Sequence, residues 1–67
     1  MTRHQYRAAL VALDLTQRAA GELLGYSLRT SQDYARGITA VPRSVALLLV
    51  LLLNGVATIK QLEHIKA

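Results

Sequence analysis

The sequence predicts an all-α fold, a compact bundle of four to five short helices. Three observations predict it. Apolar residues recur at spacings of three and four, no alternating strand pattern of useful length appears, and a capping signal stands before nearly every apolar stretch. The chain carries no linker, repeat or low-complexity segment, so residues 1–67 are expected to form a single domain.

Each helix has its own warrant. Thr2 and Gln5 fit a capping box, after which Tyr6, Ala9, Leu10 and Leu13 share one face. Asp14 and Leu15 break that run. Thr16 caps a second helix with Ala20, Leu23 and Leu24 inward, and Gly25 stands where a helix ends in a left-handed residue. Ser27 caps a third, with Leu28, Tyr34 and Ala35 inward, and Gly37 closes it. A loop over 38–41 leads to Pro42, suited to the first turn of a fourth helix over 42–54. Asn54 and Gly55 terminate that helix. A final segment, 58–66, opens on the capping box Thr58 to Gln61 and carries Ile59, Leu62 and Ile65 at a spacing of three. Tyr6 and Tyr34 are expected in the core with their hydroxyls reaching the surface, and the three tyrosines are not expected on one face.

Composition narrows the function classes. Eight basic side chains oppose four acidic ones, for a net charge of +4 and a pI near 10.1. That balance favours a polyanionic partner, nucleic acid first and an anionic membrane second. A membrane-surface helix needs a basic face opposite its apolar one, which the fourth helix lacks. The uninterrupted apolar run over 45–53 is too short to span a bilayer, which takes ~20 residues. With no signal peptide in evidence, a soluble cytoplasmic chain is expected. Cysteine is absent, and His4 and His64 lie at opposite ends, so no metal or cofactor is expected. No nucleophile, base and orienting acid occur together, and no glycine-rich phosphate loop is present. No catalytic residue is expected, and the chain is not read as an enzyme. At this length only ~60% of the chain's surface is buried on folding, which makes self-association the natural aid to stability.

The spacing over 16–37 is the most informative part. A short helix, a glycine-containing turn and a capped second helix form a helix-turn-helix, in which small residues let two helices cross closely. Ala20, Gly21 and Gly25 occupy the crossing. In helix propensity, Gly21 costs ~1 kcal/mol relative to alanine. The third helix would then present its N-terminal side chains to the DNA major groove.

Through "LTQRAAGELLGYSLRTSQDYARG" and on into "ITAVPRSVALLLVLL", the chain resembles the lambda repressor and Cro-like helix-turn-helix proteins, the XRE family. The resemblance covers about two-thirds of the chain and implies a sequence-specific double-stranded DNA-binding regulator. It implies a Cro-like repressor acting as a homodimer on a palindromic operator, in a bacterial cell or phage-infected host, with no small-molecule ligand. Carried over, it places Ser27, Leu28, Arg29, Gln32 and Asp33 against bases. Arg29 suits guanine and Gln32 adenine through bidentate pairs, and Leu28 suits a thymine methyl. Gln17, Thr30, Arg36, Arg43, Arg3 and Arg7 would meet phosphates. Asp33 has two readings, acceptance from cytosine N4 or an ion pair with Arg29 one turn earlier. Ser31 departs from the family, which has an aliphatic residue there. A half-buried serine could bond back to the Ser27 carbonyl. Gly21 departs too, where the family usually has alanine, and with Ser31 it implies a looser or differently tilted recognition helix; Tyr26 stands where the family usually has a buried Val-like residue.

The fourth helix is apolar all round. Val45, Leu48, Leu49 and Leu52 point one way and suffice to close a core, while Leu47, Val50 and Leu51 point the other. That second face, with Ile59, Leu62 and Ile65, is expected to form a two-fold interface with another copy of the chain. A different class fits the same block, an antitoxin-like or adaptor module that keeps the helix-turn-helix shape but binds DNA weakly or not at all.

Overall fold

A computed structural model describes residues 1–55 and 58–61. Among these residues the fold is all-helical: α1 Arg3–Ala12, α2 Gln17–Leu24, α3 Leu28–Arg36 and α4 Arg43–Leu53, with a further helical turn at 59–61. Each start has a local cause. The Thr2 hydroxyl accepts from Gln5 N–H at 3.1 Å while Gln5 Oε1 accepts from Thr2 N–H at 2.8 Å, a complete capping box. Thr16 and Ser27 cap α2 and α3 by accepting from Ala19 and Thr30 N–H at 3.0 and 3.1 Å. The Thr58–Gln61 box also forms, at 2.8 and 3.1 Å.

The breaks are equally local. Asp14 takes φ +56°, a left-handed conformation that aspartate tolerates better than most residues, and this ends α1. Gly25 and Gly37 close α2 and α3 at φ +91° and +77°. Pro42 stands one place earlier than its sequence suggests. It is the N-cap of α4 rather than a residue of its first turn, and its carbonyl accepts from Ala46 N–H at 3.0 Å.

The core is made where α1 packs on α3 and α4, and α2 packs on α3. Tyr6, Ala9 and Leu10 from α1 meet Ala20, Tyr34 and Ala35, and Val45 and Leu49 of α4 complete the cluster. Leu13, Leu15, Leu24, Tyr26 and Val41 are half-buried around it. On α4 the expected division holds: Val45, Leu49 and Leu52 are buried and Leu48 half-buried, whereas Leu47 is 52% exposed. Among the described residues, no helix is long and apolar enough to cross a membrane.

Candidate nucleic-acid interface

Residues 17–37 are two helices joined by a three-residue turn, and the turn is built on a close approach. The Gly21 carbonyl accepts from both Gly25 and Tyr26 N–H, at 2.8 and 2.9 Å. That folds the turn back so far that a Cβ on Gly21 would fall on the Tyr26 carbonyl oxygen. Gly21 is therefore a steric requirement rather than a weak helix former, which corrects the propensity reading.

α3 turns one face inward and leaves the other in water. Ser31, Tyr34 and Ala35 are buried, while Ser27, Arg29 and Arg36 are exposed, and Leu28, Thr30, Gln32 and Asp33 lie between. Ser27 is engaged locally: besides its cap, its hydroxyl bonds the Thr30 hydroxyl at 3.0 Å. Among the described residues no ion pair joins Arg29 to Asp33, although their spacing allows one. An exposed pair gains little in water and must hold a long side chain still, so the Arg29 fork stays free.

The structure brings two groups of the expected phosphate contacts together. Arg7 and Gln17 share the wall of a shallow depression of about 390 Å³ where α1 approaches the start of α2, along with Thr16 and Val11. Arg3 lies instead at the C-terminal end of α3. A Cβ built on Gly37 would stand 3.0 Å from Arg3 Cδ and 3.6 Å from its Nη1, so this side chain lies against the C-cap of α3. A cation there also complements the negative end of the helix dipole. Arg43 is exposed at the first position of α4. Among the described residues, no three metal-ligating side chains come together.

Three departures from expectation meet at one place. Ser31 is 0% exposed, and its hydroxyl bonds the Tyr6 hydroxyl at 2.7 Å. Its link to the Ser27 carbonyl is only the ordinary helical N–H bond of 3.0 Å. The Tyr6 hydroxyl does not reach the surface: it also bonds the Tyr26 hydroxyl at 2.7 Å. The three tyrosines do converge, since the Tyr34 ring lies edge-on to Tyr6 and Tyr26 with centroids 5.6 and 5.2 Å apart. Burial above all, then the bond to Tyr6, pushes the Tyr26 phenol well above its ordinary range. Among the described residues, no buried side-chain nitrogen or oxygen lacks a partner. The signal in the sequence was Ser31 itself, a hydroxyl three residues before Tyr34 on the inward stripe of α3.

Of the proposed interface residues, Leu47, Val50 and Leu51 are exposed and Ile59 is half-buried, while Leu62 and Ile65 lie outside the described residues. Leu53 joins the exposed set at 43%. Sequence reasoning missed a groove beside it. Met1, Gln5, Ala8, Ala9 and Ala12 of the α1 side, with Ala46, Val50 and Leu53 of α4, line a largely apolar groove of about 580 Å³. No protein-family model matches the chain, and neither a curated protein nor a solved structure does.

Proposed function

We propose that the chain is a sequence-specific double-stranded DNA-binding regulator of the lambda repressor and Cro-like (XRE) kind, a repressor acting as a homodimer on a palindromic operator. The observation that carries this reading is the two-sided α3. Its inner stripe is anchored in the core, while Arg29 stands free on its outer side and Gln32 is partly open to solvent. A helix so presented fits the major groove, where Arg29 pairs with guanine and Gln32 with adenine. The cations around it support the reading. Arg7 with Gln17 at the start of α2, Arg3 with Arg36 at the end of α3, and Arg43 give backbone contacts on either side of a reading helix.

The dimer rests on the face of α4. Leu47 and Leu51 form a ridge beside the groove lined by Ala8, Ala12 and Ala46, and no charged side chain lines that groove. A ridge next to a groove on one face is self-complementary, as a two-fold contact requires. The same exposed apolar face favours the second reading, a protein-interaction module that has kept the helix pair without binding DNA.

Selection from a random duplex pool, followed by a salt titration, separates the two. The first reading expects enrichment of a two-fold symmetric motif. It also expects log K to fall linearly with log salt, by roughly 0.9 per phosphate contact. No enriched motif, with no binding at low salt, leaves the interaction module.

A further inference from the structure

We propose that the buried hydroxyl chain Tyr26–Tyr6–Ser31 fixes the rotation of α3 about its own axis, and so determines which bases the outer face of that helix discriminates. The inference rests on the DNA-binding reading above. The chain ties three parts of the fold together: α1 through Tyr6, the turn before α3 through Tyr26, and α3 through Ser31. Tyr6 and Ser31 are both 0% exposed, so no water competes for the bond between them, while the Tyr26 end of the chain is half-buried.

Direction is what a hydroxyl adds to a packed helix. Apolar contact is non-directional and permits a helix to roll or slide against its neighbour. A hydroxyl bond of 2.7 Å weakens steeply once its angle falls below ~120°, so rolling α3 breaks it. One turn further along the same face, the Tyr34 ring is held edge-on between Tyr6 and Tyr26. Two points on one stripe of α3 are thereby fixed. Arg29 stands on the other side of that axis. With side chains a helix has a radius of about 5–6 Å, so a roll of ~20° carries a side-chain tip about 2 Å. That displacement exceeds what a bidentate pair with a base edge tolerates. Tyr6, Tyr26 and Ser31 are therefore positioning residues, acting through the helix that carries Arg29.

The test uses Ser31→Ala and Tyr6→Phe, each of which removes one oxygen and little volume, and the double variant. Folding is checked by circular dichroism, and binding is measured well below each variant's melting temperature. The readout is discrimination, the ratio of affinities for the selected duplex and for its single-base variants, beside affinity for random duplex. Both single variants are expected to bind random duplex within about twofold of wild type, because the proposed phosphate contacts of Arg7, Gln17 and Arg43 stand on α1, α2 and α4 and do not turn with α3. Both are expected to lose roughly tenfold in discrimination, the size of one impaired base contact. The double variant should lose no more than the worse single one, since one chain is cut in each case. Lower melting temperatures with discrimination unchanged would overturn the proposal, and so would equal weakening on every duplex. If wild type itself discriminates no sequence, the DNA reading fails and takes this one with it. If wild type discriminates and the variants match it, this one alone fails.

Discussion

At Gly21 a single hydrogen atom in place of a methyl group decides whether the turn into α3 can close. Substituting alanine in a helix normally gains ~1 kcal/mol. Here the added Cβ would fall on the Tyr26 carbonyl oxygen, so Gly21→Ala should destabilise the fold by ~1–3 kcal/mol, the usual cost of overpacking. Urea denaturation followed by circular dichroism measures it. Tyr26 gives a second outcome at this scale. Its folded-state pKa is raised above the ordinary 10.0, so the folded protein holds this proton where the unfolded chain releases it. The stability it contributes is complete below pH 10 and is lost progressively as pH rises above it. Absorbance at 295 nm should show tyrosine ionisation delayed in the folded protein and normal in denaturant. The sequence makes Gly21 legible as a crossing residue, because small side chains between two apolar helices imply a close approach. It does not make the Tyr6–Ser31 bond legible. The partners stand 25 residues apart, and no local window contains both.

Helix ends were legible because their causes are local. Thr2, Thr16, Ser27 and Thr58 each accept from a residue three positions on, so the pattern that predicts the cap also contains the bond. The two sides of α4 were legible for a related reason, since helical periodicity alone separates Leu49 from Leu51. Their energetics should differ accordingly. Leu49 is 0% exposed, and Leu49→Ala should cost ~2–5 kcal/mol in thermal or urea unfolding of the dilute protein. Leu51 is 38% exposed and should cost well under that in the same assay. Spacing misled at Arg29 and Asp33. A turn of helix brings two such side chains within reach, but reach alone does not outweigh side-chain entropy in water.

The described residues measure 30 × 22 × 20 Å, and in the proposed dimer two copies of that size would have to place their α3 helices on successive turns of major groove, ~34 Å apart. The groove between α1 and α4 was not legible in the sequence, because Ala8 and Ala12 become its wall only once α4 lies beside α1. Sedimentation at micromolar concentration should find a dimer, and replacing Leu47 and Leu51 together by glutamate should leave a folded monomer with weakened operator binding. A wild-type monomer under those conditions would contradict the two-fold arrangement. The central claim is that α3 recognises bases through its outer side. Its most direct test is Arg29→Ala, measured on the selected duplex and on each single-base variant of it. If Arg29 reads a base, the substitution costs ~1–3 kcal/mol on the selected duplex and relaxes preference at one base position. An equal loss on every duplex would contradict it.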